Sequence, residues 1–110
     1  MIKVSVYTPT YNYGKFIEES VDSVIRQTMT DWELIIIDDG SKDNTLEILE
    51  KYKDHPQITV VSQENKGLNK TNNIAIRLSQ GQYIMRLDAD DILDENALLV
   101  LSNALDKNTD

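Results

Sequence analysis

The stretch Trp32-Glu33-Leu34-Ile35-Ile36-Ile37-Asp38-Asp39-Gly40-Ser41 decides the fold. Its first six residues are nearly continuous apolar sequence, as expected of a strand covered on both faces. Two carboxylates and a turn glycine end it. Such a strand needs helices above and below the sheet, which a parallel α/β layer supplies.

The flanking sequence agrees with that reading. Residues 3–8 alternate and are rich in Val, and residues 58–62 and 82–87 are two further short β-prone runs bounded by Pro, Gly, Asn or Asp. Four helical patterns separate and follow the strands. The first sets Ile17, Val21, Val24 and Ile25 on one stripe and is expected to end near Thr28. The second follows the capping residues Ser41 to Asn44, turns Leu46, Leu49 and Tyr52 inward, and stops at His55-Pro56. The third covers about residues 69–79 with Ile74, Ala75 and Leu78 inward and Gly81 as its left-handed end. The fourth starts at Asp94-Glu95, whose acids suit a helix N-terminus, and carries Ala97, Leu98, Leu101 and Leu105. The order β-α-β-α-β-α-β-α predicts a doubly wound, mostly parallel sheet with right-handed crossovers and helices on both faces. Residues 1–110 form one unit of this kind, without internal repeat or linker.

Composition narrows the function. The 110 residues are 40% hydrophobic and 27% charged, and 11 basic against 19 acidic side chains give a net charge of −8. That surface repels a phosphate polymer, so no nucleic-acid partner is expected. The absence of Cys excludes disulfides, zinc ribbons and thiol nucleophiles, and metal binding falls to oxygen ligands or the single His55. No apolar run approaches the ~20 residues of a spanning helix. The expectation is a cytoplasmic chain, with peripheral association at the inner face of a membrane left open.

Ligands of doubly wound sheets sit outside the carboxyl ends of the strands. After the first strand, Pro9 to Gly14 offers a rigid proline and the ring of Tyr11 for a flat heterocycle, although turn chemistry alone also accounts for these residues. It is neither a P-loop nor a Gly-x-Gly-x-x-Gly turn. After the second, Asp38 or Asp39 projects into the crevice, where a carboxylate accepts an imide or lactam N–H that adenine lacks. Asp43 and Asn44 read as helix capping. After the fourth, Asp88-Ala89-Asp90-Asp91 places three acids within four positions, which repel one another unless something positive neutralises them. A hard divalent cation would do so. An acidic, solvated turn is the alternative.

Taken together, the loops resemble the amino-terminal half of a family 2 glycosyltransferase of GT-A fold. The resemblance rests on Val4-Ser5-Val6 through Pro9-Thr10-Tyr11-Asn12, on Ser23-Val24-Ile25-Arg26-Gln27-Thr28, and on Glu33 through Thr45. It continues through Asn65-Lys66-Gly67, Gly81-Gln82-Tyr83-Ile84 and Asp88-Ala89-Asp90-Asp91, covering nearly the whole chain. It implies sugar transfer from a nucleoside diphosphate donor, a UDP-sugar favoured, to an acceptor hydroxyl of a carbohydrate or lipid-linked acceptor, with inversion, in polysaccharide or glycoconjugate synthesis. It implies nucleotide contacts from Pro9, Tyr11, Asp39, Asn65, Gly67, Lys70 and Asp88, and Mg²⁺ or Mn²⁺ held by Asp90 and Asp91.

Two departures accompany it. Thr71-Asn72-Asn73 stands where relatives show Ala-Arg-Asn, leaving Lys70 as the substitute cation. No residue resembles the general base, so the chain is expected to be a truncated piece that lacks the acceptor half, inactive in transfer and prone to self-association through a sheet edge. A nucleotide-sugar-binding module without turnover is the alternative function. A nucleotidyltransferase would need a Gly-rich basic loop that Pro9 to Gly14 does not provide.

Overall fold

A computed structural model describes residues 1–108. The strands are β1 (Val4–Thr10), β2 (Trp32–Asp39), β3 (Ile58–Gln63) and β4 (Tyr83–Arg86), and the helices are α1 (Ile17–Ile25), α2 (Thr45–Leu49), α3 (Leu68–Leu78) and α4 (Ala97–Lys107). All strand pairs are parallel, in the order β3-β2-β1-β4. The chain builds outward from β1 through β2 to β3, then returns across the sheet to place β4 on the other side of β1. A crevice therefore opens at the carboxyl ends of β1 and β4, where strand order reverses.

The two faces are covered unequally. Val4, Val6, Leu34, Ile36 and Ile58 share one core with Ile17, Val21 and Val24 of α1, Leu49 of α2 and Leu98 of α4. Ile35 and Ile37 face the other side, where Ala75 and Ile74 of α3 meet them with Tyr7 and Val61. Period-2 alternation thus sends even-numbered β2 residues to the large core and odd-numbered ones to α3. Leu34, Ile35, Ile36 and Ile37 are all buried because neither face is left to solvent.

Several expected details differ. Both carboxylates of Asp38-Asp39 belong to β2 itself, paired with Ser62 and Gln63 of β3. The first helix ends at Ile25, which is 37% exposed, so the buried stripe is Ile17, Val21 and Val24. The second helix has only five residues and tightens into a 3₁₀ turn at Glu50–Tyr52. Its inward residues are Thr45, Leu49 and Tyr52, at i, i+4 and i+7, which leaves Leu46 a further 100° round and exposed. Leu78 is also exposed, because it is the last residue of α3 and Ser79 leaves the helix in an extended conformation. Gly81 has no positive φ and caps nothing. It is required by a close approach: a Cβ there would stand 2.6 Å from both the backbone N and the Oγ of Ser5. The fourth helix begins at Ala97, after a turn in which Asp94 Oδ2 accepts the Asn96 N–H at 3.1 Å. Among the described residues, no helix is long and apolar enough to cross a membrane.

Candidate functional site

The crevice at the carboxyl ends is a cleft of about 480 Å³. Pro9, Thr10, Tyr11 and Tyr13 form one wall, Asp39 and Asn65 the next, Leu68 and Thr71 of α3 a third, and Arg86 with Asp88, Ala89 and Asp90 the last. Four segments far apart in sequence meet there because parallel strands all end on the same side.

The first two walls are locked together. Asn12, at φ 60°, takes the left-handed conformation that Asn tolerates best among side-chain-bearing residues. Its Oδ1 accepts the Lys42 N–H at 2.8 Å, while its own N–H donates to Ser41 Oγ at 2.8 Å. Asp43 Oδ2 accepts the Gly14 N–H at 3.0 Å, and Asp43 Oδ1 accepts the Thr45 N–H at 3.0 Å. Asp43 is thus the capping residue, and Asn44, expected to share that role, makes no capping bond. Tyr11 and Tyr13 are left about 40% exposed on the cleft, free to present their rings.

The paired carboxylates of β2 divide by strand parity. Asp38 turns to the large core, fully buried, where its oxygens accept the Ser41 N–H (3.0 Å) and hydroxyl. Asp39 turns to the cleft. Its Oδ1 accepts from Gln63 Nε2 at 3.0 Å and from the Lys66 N–H at 2.7 Å, and its Oδ2 accepts the Gly67 N–H at 3.1 Å. Burial by itself would raise its pKa, but these hydrogen bonds, helped by the charge of Lys66, outweigh burial and hold the carboxyl below its ordinary range. An ionised carboxylate has about four acceptor positions, and the described residues fill three of those of Asp39. Gly40, at φ 82°, lets β2 and the β3–α3 segment approach: a Cβ would meet the Asn65 N at 3.0 Å from a backbone conformation that side chains disfavour.

The acids after β4 converge. One ligand oxygen from each of Asp88, Asp90 and Asp91 lies within 4.8 Å of the others, and all three residues are exposed. Asp88 Oδ1 also accepts from Arg86 Nε at 2.9 Å.

The sequence-derived residues fall into two groups. Pro9, Tyr11, Asp39, Asn65, Asp88 and Asp90 line the cleft, with Asp91 beside them in the acidic cluster. Gly67 and Lys70 do not line it: Gly67 acts through its N–H on Asp39, and Lys70 lies exposed in the first turn of α3. In place of Lys70 the first turn of α3 presents Thr71, which donates to the Gly67 carbonyl at 2.9 Å and accepts from Gln63 at 3.1 Å. Sequence reading also missed Arg86 as a cleft residue. Its signal was available, since the last outward position of a strand next to the reversal of strand order points at the crevice. Thr10 was missed as well; its Oγ1 is buried without a hydrogen-bond partner among the described residues.

A parallel layer of this topology with an oxygen-rich cleft at its reversal point is a doubly wound α/β layer of GT-A type. Residues 5–110 match glycosyl transferase family 2, and the chain belongs to that family. It is 49% identical over 96 residues to the chondroitin synthase of Escherichia coli, an alignment that takes in 86% of this chain and 14% of that protein. It superimposes on Staphylococcus aureus TarS 1–349 in complex with UDP-GlcNAc with a TM-score of 0.88 and 32% identity, covering 96% of this chain and 32% of the other. On the mannosyltransferase PcManGT from Pyrobaculum calidifontis, in complex with GDP-Man and Mn²⁺, the TM-score is 0.82 at 30% identity, covering 98% and 32%. The chain therefore spans a third or less of the length of these relatives.

Proposed function

We propose that residues 1–110 bind the nucleoside diphosphate sugar donor of a glycosyltransferase that transfers the sugar to a carbohydrate or lipid-linked hydroxyl. The observation that carries this is the convergence, on one cleft, of an ionised Asp39 with one acceptor position that the described residues leave free, two exposed tyrosine rings and a trio of carboxylates. The free position of Asp39 accepts the imide N–H of uracil, which favours a UDP-sugar. Tyr11 supports the base plane beside Pro9, Asn65 borders the same pocket, and Asp88 reaches a ribose hydroxyl.

The trio suits Mg²⁺ or Mn²⁺, since hard cations take oxygen ligands and use few protein carboxylates when phosphates complete the set. Asp90 and Asp91 would hold it, with Asp88 shared between cation and ribose. Bound there, such a cation supplies Lewis-acid compensation for charge developing on the departing diphosphate. This reading assigns donor binding to the chain and the base for the acceptor hydroxyl to a part of the relatives that residues 1–110 do not cover. TarS solved with UDP-GlcNAc and the mannosyltransferase solved with Mn²⁺ support the donor class and the metal.

Calorimetry of UDP and ADP, with and without Mn²⁺, tests the proposal. UDP is expected to bind more tightly with Mn²⁺, ADP weakly under either condition, and Asp90→Asn to remove most of the metal's effect. Metal-independent UDP binding, or equal affinity for the two nucleotides, would overturn it. An assay of this chain beside a longer form is expected to find transfer only in the latter.

A further inference from the structure

We propose that Arg86 is a latch shared between Asp88 and the donor's diphosphate, an inference that rests on the donor-binding reading above. Arg86 ends β4 opposite Tyr7 and lies on the α3 side of the sheet, the side to which Asp39 also turns. Among the described residues it is the one cationic side chain lining the cleft, against the carboxylates of Asp39, Asp88 and Asp90. One positive and three negative groups leave the lining at 1 − 3 = −2. A diphosphate entering that cleft is repelled unless cations face it, and Arg86 is the cation that the lining provides.

The guanidinium is only partly used. Its one hydrogen bond among the described residues runs from Nε to Asp88 Oδ1 at 2.9 Å, between side chains 39% and 53% exposed. Of its five N–H donors, the four on the terminal nitrogens are left over, in the planar arrangement that matches phosphate oxygens. Asp88 is meanwhile one of the three acids whose oxygens converge within 4.8 Å. Arg86 and a divalent cation thus compete for the same carboxylate. In the free chain the ion pair satisfies Asp88. When the metal-bound nucleotide arrives, the carboxylate is given up and the guanidinium turns to the diphosphate, so neither charge is left bare.

A latch predicts effects of opposite sign, which a purely structural Arg86 would not give. In Arg86→Gln, Mn²⁺ affinity measured without nucleotide should rise about 2- to 5-fold, the range expected for release of an exposed ion pair. UDP affinity without metal should fall roughly 5- to 20-fold through loss of charge-assisted hydrogen bonds at a partly exposed site. Uridine, which has no phosphate, should bind as to the unaltered chain. Arg86→Lys retains a charge but not the planar fork and should fall between the two. Thermal melting checks that both variants fold, as expected for an exposed residue at a strand end. Unchanged or weakened Mn²⁺ binding in Arg86→Gln, or equal losses for uridine and UDP, overturns the latch while leaving donor binding intact. If the unaltered chain binds no UDP with or without Mn²⁺, the donor-binding reading fails and the latch fails with it.

Discussion

Gln27 and Leu98, 71 residues apart, are joined by a hydrogen bond in which the Leu98 N–H donates to Gln27 Oε1 at 3.0 Å. That N–H lies in the first turn of α4, where no intrahelical acceptor exists. The Gln27 amide nitrogen donates in turn to the carbonyls of Ser23 (3.1 Å) and Asp94 (2.6 Å). Ser23 Oγ accepts the Leu93 N–H at 3.0 Å, and the Thr28 N–H donates to the Glu95 carbonyl at 2.9 Å. The Ser-x-x-x-Gln-Thr segment is therefore a clamp. It fastens the chain just beyond Asp88, Asp90 and Asp91 to the end of α1, while β4 holds the near side.

Replacing Gln27 by Ala removes that clamp and leaves the buried Leu98 N–H without its partner, while the Asp94 carbonyl keeps the Ala97 N–H at 3.0 Å. The expected loss of stability is about 1 to 3 kcal/mol, the cost of one orphaned buried group. Urea unfolding measures it, and a cost under about 0.5 kcal/mol would show that water replaces the side chain.

Asp39 has two roles that one pair of variants separates. Asp39→Asn keeps one acceptor oxygen, enough for the Lys66 or the Gly67 N–H but not both, whereas Asp39→Ala removes both acceptors. Both should weaken UDP by roughly 10- to 100-fold, the worth of one charge-assisted hydrogen bond. The Ala variant should lose more stability than the Asn variant, with two N–H groups left unpaired against one, each on the order of 1 to 3 kcal/mol. Unimpaired UDP binding by Asp39→Asn would leave Asp39 a purely structural residue.

Gly81→Ala places a methyl 2.6 Å from the Ser5 backbone, so β1 and the segment entering β4 must separate. Ser5 Oγ accepts the Gly81 N–H at 2.7 Å and donates to Glu33, which also accepts the Gln80 N–H at 2.6 Å. A cost of about 1 to 3 kcal/mol is expected, as for other overpacked sites. Denaturant unfolding with unchanged slope is the check, and Gly67→Ala, where a Cβ meets nothing within 4 Å, separates crowding from backbone strain.

The pH dependence of stability follows from Asp39 and Asp43. The hydroxyl of Thr45, then the N–H groups of Gly14 and Thr45, hold Asp43 below the ordinary value of 3.8 against partial desolvation. Asp39 is lowered as well. A carboxyl lowered on folding contributes stability that is fully present above its unfolded pKa and is lost as pH falls through the folded one. Stability should therefore be flat above about pH 5 and decline below about pH 4. Asp43→Asn should flatten that decline, and an identical acid profile for the variant would remove Asp43 from it.

The amino-acid sequence by itself determined the layer and its order. The continuous apolar run at Leu34 to Ile37 demands cover on both faces, and alternation with helical stripes demands parallel crossovers. It also determined which loops gather, because parallel strands end on one side. What it could not decide was which member of each pair faces the cleft and which residues are already engaged. Asp39 faces the cleft and Asp38 the core because β2 runs two residues farther than expected, and the pleat assigns sides only once the register with β3 is fixed. Thr71 stands where Lys70 was expected because the side of α3 that meets the sheet is set by Ala75 packing on Ile35 and Ile37. Arg86 joined Asp88 only in three dimensions, since the direction of a side chain at a strand end depends on the neighbouring strand, and that neighbour, β1, lies about 80 residues earlier in the chain.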